Sequence, residues 1–317
     1  MSIVTVTLNP AVDETVRLER LERGAVHRAL DVRHDPGGKG VNVACCLADW
    51  GLPVTATGFL GADNARLFET MFAAKGIRDR FVRVPGATRV NIKLVDATET
   101  TDINLPGLRA TPEALAALDS RLSGLGRQDL AVLGGSLPAG CADGQYAAMV
   151  ASLGRQGVRV LLDASGPSLD AALGAPVLPW CVKPNRHELA AWAGKADASV
   201  TELVAAAGEL RRRGVALAVV SMDADGAFFF SDEGALWARL PAAAVASTVG
   251  AGDAMVAGIA AASERGGDLE RVARLATAFA VAKLGRVGPN LPGPETVESL
   301  AGQVELTEIT TKGAVYA

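Results

Sequence analysis

Six short runs place the tightest limit on what this 317-residue chain can fold into: Ile3–Leu8, Val54–Phe59, Leu130–Leu133, Val158–Leu162, Cys181–Lys183 and Ala216–Ser221. All are rich in aliphatic residues, and several are apolar throughout. A strand with one face in water alternates polar and apolar residues, whereas a strand apolar at every position must be covered on both faces. The segments between the runs supply helices for that cover. Thr111-Pro112-Glu113 marks one helix start, with a capping hydroxyl followed by a proline whose missing N–H costs nothing there. Val200–Arg213 is a second helical segment. The expected fold class is therefore α/β, a doubly wound, mainly parallel sheet with helices on both faces. Its active groups are expected at the carboxyl ends of the strands.

Two regions interrupt the alternation, residues 11–35 and about 86–108. They carry strand-like segments at Thr15–Leu21, Val26–Val32 and Arg89–Val95, with charges at alternating positions. Such strands are half exposed. Leaving the core after a strand, they can pair into a small β-sheet lid over the active edge and exclude water from a reacting group. An open apolar lid face could instead pair with another subunit. No repeat or long linker divides the chain, so residues 1–317 are expected to form a single domain with the lid inserted in it.

A net charge of -4 gives no reason to expect nucleic acid or an anionic membrane as a partner. Cysteines 45, 46, 141 and 181 form no Cys-x-x-Cys pair, which argues against a zinc site or a disulfide framework. The first ten residues carry no basic-then-apolar leader, and no run approaches the length of a membrane span. A cytoplasmic protein is expected.

The most chemically pointed stretch is Thr248–Gly258, Thr-Val-Gly-Ala-Gly-Asp-Ala-Met-Val-Ala-Gly. Gly250 and Gly252 allow a sharp turn with exposed amides, and the small apolar residues after Asp253 continue as a helix whose positive end faces that turn. This is an anion site with an acid beside it. Asp253 can then accept the proton of a hydroxyl that attacks a bound phosphoryl group. A second stretch, Pro36-Gly37-Gly38-Lys39-Gly40-Val41-Asn42-Val43-Ala44, sets mobile backbone, a cation and an amide at another helix start. It suits a sugar or a sugar phosphate. It is not a Walker loop, since the Gly-x-x-x-x-Gly-Lys-Ser/Thr spacing is not met. A dinucleotide fingerprint is also missing, because the first strand runs into Asn9-Pro10.

In this order and separation the two glycine motifs resemble those of the ribokinase-like (PfkB) carbohydrate kinases over nearly the whole chain. Thr7-Leu8-Asn9-Pro10-Ala11-Val12-Asp13, Thr88-Arg89-Val90-Asn91-Ile92-Lys93, Gly135-Ser136-Leu137-Pro138 and Lys183-Pro184-Asn185-Arg186-His187-Glu188 resemble the branch that acts on phosphosugars. The resemblance implies that Asp253 is the catalytic base and that Gly250, Ala251 and Gly252 supply amides to the transferring phosphoryl. Asp13, Gly38, Lys39, Asn42 and Ser136 carry over as substrate contacts. Arg89 and Lys93 share a face of the lid strand and are expected to clamp the substrate phosphate. Lys183, Asn185, Glu188, Ser221 and Gly226 carry over to ATP, with Asn185 and Glu188 organising Mg2+ partly through water. By itself Asn-x-x-Glu is also a helix cap followed by an acidic residue.

The chain departs from the family pattern in the nucleotide loop. Ser221-Met222-Asp223-Ala224-Asp225-Gly226 has Asp223 where glycine is usual, adding negative charge near the expected triphosphate. Cys45 and Ala254 replace a frequent arginine and serine. The expected activity is ATP- and Mg2+-dependent phosphorylation of a phosphorylated ketohexose, with fructose 1-phosphate first and tagatose 6-phosphate or fructose 6-phosphate as alternatives. A regulator that binds sugar phosphates without turnover is the alternative from another class. The resemblance also implies a homodimer through the lid.

Overall fold

The computed structural model describes residues 1–310 except 243, 244, 246 and 287. An eleven-stranded sheet forms the body. From one edge to the other run Glu305–Glu308, Ala235–Arg239, Ala227–Phe230, Leu217–Ser221, Cys181–Val182, Arg159–Asp163, Leu130–Gly134, Ile3–Thr7, Val54–Gly61 and Arg78–Asp79. Val82–Val84 pairs farther along Val54–Gly61. Every pairing from Leu217–Ser221 to Arg78–Asp79 is parallel, and the three pairings beyond Leu217–Ser221 are antiparallel. All six expected runs are strands of this sheet, with boundaries within two residues.

Uniformly apolar strands result from burial on two sides. Leu217 and Val219 join one hydrophobic core while Ala218 and Val220 join the other. The helices Lys39–Asp49, Ala251–Glu264 and Leu269–Leu284 cover the first core, and Gln145–Arg155 and Val200–Arg212 cover the second. The expected helix starts form as read: Thr111 Oγ1 accepts from the Ala114 amide at 3.2 Å, and Ser199 with Glu202 closes a capping box. Among the described residues no helix is long and apolar enough to cross a membrane.

The lid is a separate four-stranded sheet in the order Asp31–Gly37, Ala11–Arg17, Arg89–Val95, Thr100–Asn104. Arg89–Val95 is a strand as expected, but the other two segments are not where their residue pattern placed them. Thr15–Leu21 is replaced by Ala11–Arg17, and Val26–Val32 by Asp31–Gly37. The ladder with Arg89–Val95 explains the shift. It pairs Ala11 with Arg89 and stops at Arg17 opposite Val95, after which Leu18 turns inward and is buried. Val26 and Leu30 gave the second segment its strand-like look and instead lie exposed between the strands. Pro36 is accommodated because Asp31–Gly37 is an edge strand.

Register divides the lid residues between two faces. Asp13 lies opposite Asn91, and Thr15 opposite both Lys93 and Arg33. Cross-strand partners share a face, so these residues form a polar side with Asp35 and Asp102. The alternate positions Val16, Val32, Ile92, Leu94 and Ile103 make the other side mainly apolar, with the hydrogen-bonded pair Glu14 and His34 among them. Across a cavity the polar side faces Asn42, the Thr248–Gly250 turn and Lys283.

Candidate active site

The Ala251–Glu264 helix begins at Gly250, whose φ of 83° is left-handed and suits a residue without Cβ. No side chain caps this helix. Of its first amides, that of Ala251 donates to the Thr248 carbonyl at 3.3 Å, while those of Gly252 and Asp253 have no carbonyl one turn back to bond within the helix. Asp253 stands in this first turn and is buried, with 7% of its surface exposed. Asn42, in the first turn of the Lys39–Asp49 helix, donates Nδ2–H to Asp253 Oδ2 at 2.7 Å. Burial pushes the Asp253 pKa above the usual aspartate value and Asp163 adds to the rise, while Lys39, the Asn42 hydrogen bond and Lys183 oppose it. A buried carboxylate with a raised pKa beside unpaired amides fits a proton acceptor at a phosphoryl site.

Asp163 ends the Arg159–Asp163 strand and binds two cations. Lys39 Nζ lies 3.0 Å from Oδ2 and Lys183 Nζ lies 3.4 Å from Oδ1. Burial works to raise the Asp163 pKa, but Lys183 and Lys39 outweigh it and hold the group below the usual range. Burial likewise works against the Lys39 ammonium, and Asp163 and Asp253 overcome it, so its pKa is raised. Lys183 Nζ is 3.7 Å from where a Cβ on Gly252 would stand, so this cation borders the glycine turn.

On one side of the turn a cavity of about 840 Å³ is lined by Asp13, Asn42, Lys93 and Gly250 among others. Asp13 accepts from Asn91 Nδ2 at 3.3 Å. Burial raises its pKa, with Lys93 and Asn91 pulling it back. A Cβ on Gly37 would stand 2.8 Å from Asp13 Oδ2, and one on Gly38 2.9 Å from Thr7 Cγ2. Gly37 therefore lets the second motif lie against Asp13 of the lid strand, and Gly38 against Thr7 at the end of the first strand. Lys93 pairs with Asp102 at 3.2 Å on the cavity side of the lid. Arg89 does not join it in a clamp: its guanidinium binds the carbonyls of Pro10, Leu105 and Asn9 at 3.4, 3.3 and 3.2 Å, at the base of the lid. Ser136 accepts from Asn9 Nδ2 at 3.0 Å and lines neither cavity.

On the other side of the turn a cavity of about 700 Å³ is lined by all five residues expected at ATP, namely Lys183, Asn185, Glu188, Ser221 and Gly226. Both cavities reach Val245 and Thr248 at the turn. Asn185 and Glu188 form a reciprocal capping box at the start of Arg186–Trp192, with Asn185 Oδ1 accepting from the Glu188 amide at 2.8 Å. Both side chains therefore have a structural role as well as a place at the cavity. Gly226 is required where it is: a Cβ there would stand 2.1 Å from the Ala238 carbonyl oxygen. Asp223 has φ 55°, the one non-glycine residue with positive φ among the described residues.

Three features escaped the sequence reading. Asp163 gave the same signal as Asp13, an acid near the carboxyl end of an apolar strand, without a glycine motif to draw attention to it. Asn91 stands between the two cations that were singled out. The apolar wall of the second cavity, Leu240, Met255, Ala280, Val281 and Leu284, comes from segments that each read as ordinary core.

With this geometry in hand, comparison with known proteins is specific. The family model described as pfkB family carbohydrate kinase matches residues 6–296. A relative named 1-phosphofructokinase, from Xanthomonas campestris pv. campestris, is 51% identical over 310 residues, covering 96% of this chain and 98% of its own. The solved structure of a possible 1-phosphofructokinase from Thermotoga maritima superposes with a TM-score of 0.85 at 28% identity, covering 98% of this chain and 100% of its own. Phosphofructokinase-2 from Escherichia coli in complex with fructose-6-phosphate gives a TM-score of 0.87 at 25% identity, covering 95% and 98%.

Proposed function

This chain belongs to the pfkB family of carbohydrate kinases, and from that membership we propose that it transfers the γ-phosphoryl group of ATP to the 6-hydroxyl of fructose 1-phosphate, giving fructose 1,6-bisphosphate. One observation carries the reading: two cavities of ligand size meet at the Thr248–Gly252 turn, and Asp253 is buried in the first turn of the helix that starts there. The name of the Xanthomonas relative supports fructose 1-phosphate as the acceptor.

The sugar occupies the lid cavity, with Asp13 accepting from its hydroxyls and Lys93 meeting its phosphate. Asp253 takes the proton of the attacking hydroxyl as the new O–P bond forms. The amides of the turn, with Lys39 and Lys183, hold the negative charge on the transferring group. Asn42 keeps the Asp253 carboxylate oriented. Arg89 fixes the lid to its base and so sets where Lys93 stands.

Mg2+ fits the donor set at the second cavity. Among the described residues no three His, Cys, Asp or Glu side chains cluster to hold a metal alone. Mg2+ characteristically needs only one or two carboxylates besides waters and substrate phosphates. Glu188 and Asp223 are the carboxylates that line it, with Asn185 beside Glu188. The ion would supply charge neutralisation between the outer phosphates of ATP. The mainly apolar side of the lid, with Val32 and Ile103 nearly half exposed, supports pairing of two lids in a homodimer.

The test is ADP release with magnesium-ATP against fructose 1-phosphate, fructose 6-phosphate, tagatose 6-phosphate and free fructose. The proposal expects fructose 1-phosphate to have the highest kcat/KM. Preference for a 6-phosphate would reassign the acceptor, and binding without turnover would make the protein a regulator.

A further inference from the structure

The Gly135–Pro138 motif has no part in the phosphoryl-transfer steps, and its Ser136 lines neither cavity. Its first residue nonetheless lies against the cations of the site. A Cβ on Gly134 would stand 3.4 Å from Lys39 Cβ and 3.3 Å from the Asp163 carbonyl oxygen, and one on Gly135 would stand 3.8 Å from Lys39 Cβ. The Gly135 amide donates to that same Asp163 carbonyl at 3.1 Å. The Gly134–Gly135 turn is thus wedged between the Lys39 stem and the Asp163 backbone, the two residues whose side chains meet as an ion pair at 3.0 Å.

Two glycines in succession have no side chains with which to hold a turn, and their backbone is the freest a chain can have. The hold comes from behind. Tyr146, the second residue of the Gln145–Arg155 helix, is fully buried, and its hydroxyl donates to the carbonyls of both Gly134 and Gly135 at 3.0 Å. One hydrogen shared by carbonyls of consecutive residues fixes the direction of both peptide planes. Phenylalanine would fill nearly the same volume with no polar atom to desolvate, so the hydroxyl is in place for these carbonyls. Burial holds the Tyr146 pKa above the usual tyrosine value, with Cys141 and Asp163 adding to the rise, and the phenol therefore stays a donor at every working pH. Tyr146 lines neither cavity.

Resting on the kinase reading above, we infer that Tyr146 is a positioning residue for phosphoryl transfer: its two hydrogen bonds set the Gly134–Gly135 turn, and the turn sets the Lys39 ammonium on Asp163. Lys39 lines the nucleotide cavity, where its charge meets the transferring group. A fixed ammonium stabilises the charge of the transition state without first having to reorganise. Loss of the hydroxyl frees the turn to rock, and the Lys39 stem that packs on it follows.

The test compares full-length wild type with Tyr146→Phe and Val150→Ala, all assayed well below the lowest Tm. Val150 is buried on the same helix and in the same core but touches neither glycine, so Val150→Ala lowers stability by core truncation alone. The single-turnover rate of Tyr146→Phe should fall by about three- to ten-fold, the rate equivalent of one net hydrogen bond. Its Kd for either substrate should change by less than about two-fold, and Val150→Ala should keep the wild-type rate. A wild-type rate in Tyr146→Phe, or an equal loss in Val150→Ala, would overturn the inference.

A second readout needs no turnover. Asp163 holds Lys39 in its charged form, which protects the amine from acylation. Brief treatment with an acetylating N-hydroxysuccinimide ester, read by peptide mass spectrometry, should modify Lys39 about three-fold faster in Tyr146→Phe than in wild type, on the same energy scale. Lys75, paired with Asp49 away from the turn, should react equally in both proteins. Equal labelling of Lys39 would overturn the coupling. A wild-type protein inactive on every phosphosugar would sink the kinase reading alone, and the labelling would still decide whether Tyr146 positions Lys39.

Discussion

Asn42 Nδ2 donates to Asp253 Oδ2 at 2.7 Å across 211 residues of sequence, tying the first turn of one helix to the first turn of another. The bond favours the charged form of a carboxylate whose burial favours the neutral one. Asp253 must be deprotonated to accept a proton, so activity falls as the pH drops through its pKa. Asn42→Leu removes the donor and raises that pKa further. The acid limb of the kcat/KM profile should therefore move to higher pH in Asn42→Leu, read from initial rates across a buffer series; an unmoved limb would contradict the pairing.

Lys93 is proposed to meet the substrate phosphate, and its partner Asp102 is half exposed. An ion pair of this kind contributes about 0–1 kcal/mol to stability. Lys93→Ala should thus melt close to wild type while KM for the phosphosugar rises by about ten-fold or more, the scale of a lost charge-assisted contact. Free fructose, tried as a poor substrate, should show no such change. An equal loss on both sugars would remove Lys93 from the phosphate.

The buried Asp163 compensates the buried Lys183 and the partly exposed Lys39. Asp163→Ala should lower the free energy of unfolding by about 3–5 kcal/mol at neutral pH, because a buried ammonium loses its counter-charge. The Asp163 pKa is depressed in the folded state, so its contribution is present above the unfolded aspartate value and fades as pH falls through the folded one. Urea unfolding should show the gap between wild type and variant narrowing in acid. A gap that stays constant with pH would assign the cost to packing.

Asp223 occupies a left-handed backbone position in the wall of the nucleotide cavity. Asp223→Gly relieves strain of about 1–2 kcal/mol but adds about 0.4–1 kcal/mol of unfolded-chain entropy, so stability should change little. Removing the charge should lower KM for magnesium-ATP. A raised KM would mean that the carboxylate contacts the nucleotide or its metal.

Fold class was legible in the sequence because strands such as Leu217–Ser221 must be apolar on both faces, a requirement visible without any long-range knowledge. The lid register was not, since Val26 and Val32 look alike as residues and only the ladder to Arg89–Val95 decides which one is in a strand. The same limit holds at the site. Asp253, Lys183 and Glu188 stand out through local motifs, whereas Asp163 acquires its role from two lysines, 124 positions before it and 20 after it in the chain. Arg89 stands out through its strand face and the resemblance of Thr88–Lys93 to the phosphosugar branch. Its three carbonyl partners belong to turns whose meeting at the base of the lid no local pattern encodes.

The central claim is that Asp253 removes the proton from the acceptor hydroxyl. Its most direct test is the single-turnover rate of Asp253→Asn on fructose 1-phosphate with magnesium-ATP, together with the Kd of each substrate. The rate should fall by about 100-fold or more while both substrates still bind. A near-wild-type rate with unchanged binding would contradict the account and leave the glycine turn without its base.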